Sequence, residues 1–362
     1  MMIKAGFTYC GEHASSDTSN EFRIPCPNDP NHSVDKRHLE AHLSKCNGRL
    51  PEEVYVSRNV NLTVPEAETD ELSQPDPTDF VKVLNIVEAE YARIKDDISV
   101  EHETNEFVEG SDVAKPKHRR QISSIVGQMS KSGLLSDKSG LAVMELGVGR
   151  GQLAYFMANA APKADFILLD YSGVKHKADG KISADTKVTR IRCPVEHVDV
   201  TKIEPLHAAT SISFTCKHFC GSATDYGINL INRALNAKLP VAGFALAPCC
   251  HHRIEPRQYT GFKYLKSLGI DTNEFIVMRQ MATWATCGER PNMTSPMESN
   301  DDGDDFKLWS YVKKRDIGRK CKALIETGRL KHLQQLGFNV RLLEYVDVDV
   351  SPENLMIVGV RI

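Results

Sequence analysis

A doubly wound α/β domain behind a small zinc-binding module is the fold class this sequence predicts. Three observations carry that expectation. An apolar run, Leu141–Leu146, leads into Gly147-Val148-Gly149-Arg150-Gly151 and then into the helix-compatible Gln152–Ala158. Strand, Gly-rich turn and helix form the opening unit of a doubly wound sheet, which binds ligands at the carboxyl ends of its strands. Further apolar runs alternate with helical segments after that unit. Finally, residues 1–50 are rich in Cys and His and poor in long apolar runs, and so small a segment usually needs a metal to fold.

Composition sets the bounds. A chain of 362 residues has room for about two domains. Hydrophobic content of 41% supports a large core, and a formal net charge of −3 excludes a global basic field. Any nucleic-acid contact must therefore come from local patches. Ten cysteines and an N-terminus, Met1-Met2-Ile3-Lys4, without an apolar signal region point to a reducing compartment. Their thiols are expected to be free or metal-bound. No apolar run approaches a membrane span. The expected setting is soluble, in cytoplasm or nucleus, with no membrane partner.

Taken in order, residues 1–22 contain Cys10-x2-His13, half of a four-ligand cluster at best. Residues 23–50 hold Cys26-x5-His32-x9-His42-x3-Cys46, two thiolates and two imidazoles, the ligand set of a closed tetrahedral zinc site. A short helix over 36–45 places His42 and Cys46 on one face, where His38 competes as a ligand. Residues 51–78 are Pro- and acid-rich and read as a linker. Residues 79–120 form a helical and linking segment. Val81, Leu84, Val87, Tyr91, Ile94 and Ile98 recur at helical spacing there, so that helix should pack on the catalytic domain. Residues 101–112 are acidic and aperiodic. Lys115-Pro116-Lys117-His118-Arg119-Arg120 is a basic cluster opening the helix Gln121–Ser130, and it is either a solvated face or an RNA-phosphate contact.

The large domain covers 121–362. Leu141–Leu146, Phe166–Leu169, Val188–Arg192, Ser211–Thr215 and Val241–Ala245 are its five expected parallel strands. Helices fit over 152–161 and 224–237. Asn339–Val346 and Leu355–Ile362 are β-rich around Ser351-Pro352 and should supply an antiparallel edge hairpin. Residues 298–305 read as an acidic loop.

The glycine spacing Glu145-x-Gly147-x-Gly149-x-Gly151 is neither Gly-x-Gly-x-x-Gly nor a Walker loop. Asp170 ends the next apolar run, about 20 residues on, where a carboxylate commonly accepts from a ribose diol. Two further motifs follow the fourth and fifth strands, Lys217–Asp225 and Pro248–Arg253. Adjacent strand residues point to opposite sides. Cys249, Cys250, His251 and His252 are therefore not expected to converge on one ion; some line the pocket and others are core thiols.

A Glu two residues before the first glycine, with the second acid Asp170, resembles class I S-adenosylmethionine methyltransferases. The wider set narrows this. Met144-Glu145-Leu146-Gly147, Lys217-His218-Phe219-Cys220-Gly221-x2-Thr224-Asp225, Cys249–Arg253, Thr283-Trp284-Ala285-Thr286, Gly318–Lys322 and Thr327–Leu330 together resemble the eukaryotic tRNA 2′-O-methyltransferases that act on the acceptor stem. Cys26–Cys46 resembles the CHHC finger of RNA-processing proteins, and Tyr9–His13 fits the same family. That family has further zinc ligands ahead of Cys10, so 1–22 is expected to be an incomplete remnant of a CCCH-type site. Val148 and Phe219 replace the family's usual Ala and Leu. Tyr171 follows Asp170 where Arg is common.

The resemblance implies a Rossmann-like class I methyltransferase fold with a C-terminal antiparallel hairpin and an N-terminal zinc finger. It implies methyl transfer from S-adenosylmethionine to a ribose 2′-oxygen at position 4 of a subset of tRNAs (those for Pro, Gly and His); no obligate protein partner is inferred. Glu145, Gly147, Gly149 and Gly151 would shape the methionine end of the pocket, Asp170 would hold the ribose, and Asp199 would face the adenine. Lys217 is the first candidate base, with His251 or His252 second. Residues 307–322 carry seven cations against Asp316; Arg315, Arg319 and Lys322 share a helical face and form a candidate RNA-backbone stripe. Two rival readings are a methyltransferase of another substrate and a non-catalytic RNA-binding adaptor. The intact Glu145 and glycines argue against a decayed pocket.

Overall fold

Six buried residues in a row, Leu141–Leu146, form a strand covered on both faces, as a central parallel strand is, and the sheet is built outward from it. The computed structural model describes residues 22–46, 48–63, 77–171, 178–286 and 309–362. Cys10, His13, the acidic stretch 298–305 and Lys307 lie outside those residues. The chain divides into two units, 1–56 and 57–362.

In the first unit, β1 (Arg23–Cys26) and β2 (Asp29–Asp35) pair antiparallel. The expected helix over 36–45 divides into a 3-10 turn, Lys36–His38, and α1 (Leu39–Leu43). Asp35 opens that turn by accepting from the Arg37 amide at 2.9 Å, as an N-cap should.

The second unit runs α2 (Pro77–Ile94), β3 (Ile98–Val100), α3 (Glu106–Glu109), α4 (Pro116–Lys131), β4 (Leu141–Leu146), α5 (Gln152–Ala160) and β5 (Asp165–Asp170). It continues through β6 (Val188–Arg192), α6 (Glu204–His207), β7 (Ser211–Cys220), α7 (Ser222–Asn236) and β8 (Val241–Cys249). It ends with α8 (Phe262–Ser267), α9 (Thr272–Ala282), α10 (Tyr311–Gln335), β9 (Phe338–Glu344) and β10 (Leu355–Arg361). The sheet order is β3-β9-β10-β8-β7-β4-β5-β6. The five strands from β8 to β6 are parallel, as expected. After β4 the chain lays β5 and β6 on one side, then returns to lay β7 and β8 on the other. The reversal makes the crevice beside β4 the natural ligand site.

The structure corrects three boundaries. β7 and β8 run to Cys220 and Cys249, beyond the Thr215 and Ala245 where apolar patterning fades. The C-terminal hairpin is not the edge: β10 lies between β8 and β9, and β3, three residues too short to read from sequence, pairs parallel with β9 outside it. The expected 51–78 linker also divides. Residues 57–63 strap onto the large unit, where Asn61 Nδ2 donates to the Val195 and Val198 carbonyls at 2.7 and 2.8 Å, and the Thr63 amide donates to Gln258 Oε1 at 2.8 Å.

Two buried clusters hold the large unit together. One joins Ile122, Ile125 and Met129 of α4 to Phe156 of α5 and to Val143, Phe166 and Leu168 of the sheet. The other joins Phe80, Val83 and Val87 of α2 to Phe275 and Met278 of α9 and Leu324 of α10. The apolar face expected on α2 is met in part: Val87 and Ile94 are buried and Leu84 and Tyr91 pack against the cluster, but Phe80 and Val83 fill it in place of Val81, and Ile98 lies in β3. Among the described residues, no helix is long and apolar enough to cross a membrane.

Candidate active site and zinc finger

The finger's four ligand atoms converge. Cys26 Sγ lies 3.2 Å from His42 Nε2 and 3.7 Å from Cys46 Sγ; His32 Nε2 lies 3.1 Å from His42 Nε2 and 3.5 Å from Cys46 Sγ. Ligands at about 2.0–2.3 Å from a tetrahedral zinc have mutual separations of this size. His38 is exposed and outside the group, so His42 of α1 and Cys46, just past its end, supply the last two ligands.

At the sheet edge, the glycine turn has left-handed φ at Gly147 (73°), Gly149 (54°) and Gly151 (73°), a conformation that favours glycine. A side chain at Gly147 would meet the Phe219 ring at 3.0 Å, and one at Gly151 would meet Asp179 at 2.7 Å, whereas one at Gly149 would meet nothing within 4 Å. The turn is therefore open at its middle glycine. Asp170 Oδ2 accepts from the Gly149 amide at 2.7 Å, so the acid also braces the turn. Glu145 is buried, and its Oε2 has no hydrogen-bond partner. Burial pushes its carboxyl up to about 8, against the pull of Lys217 and Arg190. A buried, half-satisfied carboxylate beside an open backbone cradle fits a cationic ligand group such as the amino end of S-adenosylmethionine. Asp199 is occupied locally: Oδ1 accepts from the Thr201 hydroxyl at 2.6 Å and its amide at 3.2 Å.

Lys217 shares this site. In the β4–β7 register Glu145 faces Thr215, and Lys217 lies two residues further along the same face. Burial pulls its ammonium down to about 8, opposed by Glu145. The strand then bulges. Pairing with β8 slips between Lys217 and Phe219, and His218 takes φ 61°. Bulges re-aim side chains next to active sites. Here Lys217 Nζ reaches 3.4 Å from His118 Nδ1, and His218 Nε2 lies 3.2 Å from Gln121 Oε1. Both partners stand on α4, whose first turn is the basic cluster. Burial and the neighbouring Lys217 charge depress His118, and the same causes take His218 down to about 4.

His251, one of the second-choice candidate bases, is held in the interior. It is buried, with Nε2 2.7 Å from Glu326 Oε1 and Nδ1 3.8 Å from Glu353 Oε2. Glu326 in turn pairs with Arg329 at 2.7 Å, and Arg329 with Asp225 at 2.6 Å, all three fully buried. Burial raises the Glu326 carboxyl, but Arg329 and His251 outweigh it and hold it below the usual range. His251 therefore ties β8 to α10 and positions the strand ends. His252 is exposed.

A family model described as Methyltransferase TRM13 matches residues 120–360, and a U11-48K-like CHHC zinc finger model matches 23–47. The chain belongs to the TRM13 methyltransferase family. It is similar to the "tRNA:m(4)X modification enzyme TRM13 homolog" of Homo sapiens, 30% identical across 99% of this chain and 91% of that one. The Mus musculus homolog is 29% identical with the same coverage. The Yarrowia lipolytica protein, "tRNA:m(4)X modification enzyme TRM13", is 28% identical over 99% of this chain and 86% of its own.

For a TRM13-family methyltransferase, the candidate RNA stripe on α10 needs revision. Lys322 is 2% exposed, with Nζ donating to the Pro352 carbonyl and 2.5 Å from Glu353 Oε2. Lys320 is paired with Glu88 and Asp316, each at 2.7 Å. Helical periodicity places these residues on faces but does not say which face is covered. By contrast Lys115, Lys117 and Arg120 are exposed at the start of α4. Sequence reasoning missed His118, Gln121 and His218 as site residues. The available signal was His218 following Lys217 within one motif and His118 within the basic cluster.

Of Cys249, Cys250, His251 and His252, the two histidines stay outside any shared ligand group, as expected, but the two thiols do not. Cys249 and Cys250 do come together, and Cys220 joins them: the three sulfurs lie within 4.8 Å of one another. The opposite-sides argument fails because Cys250 has left the strand, with φ 54° and ψ 48°.

Proposed function

We propose that this chain is a tRNA methyltransferase that transfers a methyl group from S-adenosylmethionine to a ribose 2′-oxygen at position 4 of the acceptor stem in a subset of tRNAs. The substrate class follows the names of its relatives. The observation that carries the reading is the approach of Lys217 to His118 at 3.4 Å, which puts the candidate base beside the exposed cations of α4. Bound S-adenosylmethionine supplies an electrophilic methyl on a sulfonium, a good leaving group. Glu145 and the open turn at Gly149 would hold its methionine end, Asp170 its ribose, and Asp199, braced by Thr201, would face the adenine.

The chain's own residues do the rest. They align the hydroxyl with the methyl, and Lys217 accepts the hydroxyl proton. A buried amine near pKa 8 is partly neutral at physiological pH, as a general base must be. In an A-form stem the 2′-hydroxyls line a wide, shallow minor groove, reachable without base extrusion. Lys115, Lys117 and Arg120 would then track phosphates, and the finger would add a second RNA contact.

The test is nucleoside mass spectrometry on a series of stem-swapped tRNAs. Methylation should fall on the ribose, require a paired stem and weaken steeply with salt. Methyl on a base would refute the reaction class. Equal methylation of a single-stranded acceptor strand would refute groove recognition.

A further inference from the structure

The thiols at the ends of β7 and β8 are not accounted for by methyl transfer, which needs no covalent protein intermediate. Of the eight cysteines among the described residues, two belong to the finger, and Cys193, Cys216 and Cys321 are buried away from any such cluster. The remaining three form the only other His, Cys and acid group among the described residues whose ligand atoms converge as the finger's do. Cys220 and Cys249 are register partners, and their sulfurs lie 3.1 Å apart. Cys250 is next in sequence to Cys249 and would point away if it continued the strand. It instead adopts the left-handed conformation, uncommon for a residue with a side chain. Its amide donates to Glu353 Oε1 at 3.3 Å, which holds that turn. Cys249 is buried, while Cys220 and Cys250 are partly exposed. The group thus has an inner wall and an open side.

We propose that Cys220, Cys249 and Cys250 bind one zinc ion as thiolates, a second metal site distinct from the finger. Three sulfurs at about 2.3 Å from an ion stand about 4 Å or less from one another. Sulfurs within 4.8 Å reach that arrangement by rotamer adjustments of under an ångström or so. The three thiol protons leave to solvent on binding. Three thiolates with zinc carry one net negative charge, and Lys217 and Arg253 lie close enough to attract the thiolates of Cys249 and Cys220. Three protein ligands leave a fourth position for water on the open side, unlike the closed finger. The ion would clamp β7 to β8 immediately after the His218 bulge and so fix the strand that carries Lys217.

The test uses the full chain, purified with zinc and without strong chelators, and counts metal by plasma mass spectrometry. In a Cys26→Ala/Cys46→Ala background, which removes the finger ion, a zinc should remain. It should disappear when Cys249→Ser and Cys250→Ser are added. A zinc count unchanged by those two substitutions overturns the proposal, as does a finger variant that holds no zinc. Folding of the variants is not required for the second measurement. In the unsubstituted chain, maleimide labelling of the peptides carrying Cys220 and Cys250 should slow about tenfold or more with zinc bound and recover on chelation. Labelling indifferent to zinc overturns the site. So does a Cys220–Cys249 disulfide recovered in place of the metal, since that pair would then act as a redox couple.

Discussion

Burial moves both Lys217 and Glu145 well away from their ordinary titration range at this site. For Lys217 the neutral amine is the active form, and its ammonium is held near 8. The single-turnover rate should therefore rise with pH and level off above about 8. Lys217→Ala should keep cofactor and tRNA affinity, lose about 100-fold or more in rate, and lose that inflection. A normal single-turnover rate in the variant would move the base to exposed His252. For Glu145 the linkage has a definite sign. Its folded value, about 8, lies above the ordinary 4.5. Its contribution to stability is complete below 4.5 and is lost as pH rises through 8. Glu145→Gln should thus stabilise the protein by about 1 kcal/mol or more at pH 8, with little gain at pH 5. Its affinity for S-adenosylmethionine should fall by about tenfold or more, the loss of one charge-assisted hydrogen bond. Melting curves at both pH values and calorimetry check the two halves.

Among the elements, the finger separates ligand from bystander. The 3-10 turn carries His38 and α1 carries His42, yet only His42 joins Cys26, His32 and Cys46, which follows α1. Zinc content measured after mild chelation should fall by about one ion in Cys46→Ala and stay unchanged in His38→Ala, with local unfolding in the first variant only. Equal losses would mean that His38 is a ligand. The finger was legible because its ligands lie close in sequence and only their spacing matters. β7 was less legible. Its first half is a plain apolar strand, whereas its second half, with Lys217 and His218, reads as loop. What makes it strand is pairing with β8, a partner some 30 residues away.

Over the whole molecule, the chain Asp225–Arg329–Glu326–His251 ties α7, α10 and the end of β8 together. Each member is buried and depends on the others. Arg329→Met would remove the guanidinium shared by two buried carboxylates, leaving Glu326 only His251 and Asp225 only Thr260, and should cost about 3–5 kcal/mol. Denaturant unfolding measures it; a loss below about 1 kcal/mol would show that the carboxylates are met by water. Tyr259, stacked on Phe275 with its hydroxyl bonded to the Ile325 carbonyl at 2.6 Å, closes the same region.

Local order in the sequence was enough for the five parallel strands, the glycine turn and the four finger ligands. Each depends on apolar periodicity or on short spacing, and both survive in a linear string. Tertiary structure alone decided which charges are accessible. Lys322 and Lys115 are equally polar as letters, yet one sits against Glu353 in the interior and the other is exposed. It also decided that His251 is a strut, that β3 closes the sheet, and that Cys220, Cys249 and Cys250 meet. These outcomes rest on pairings between distant segments and on two residues, His218 and Cys250, that leave extended geometry. A backbone torsion of that kind is set by the surrounding packing, and residue type by itself does not announce it.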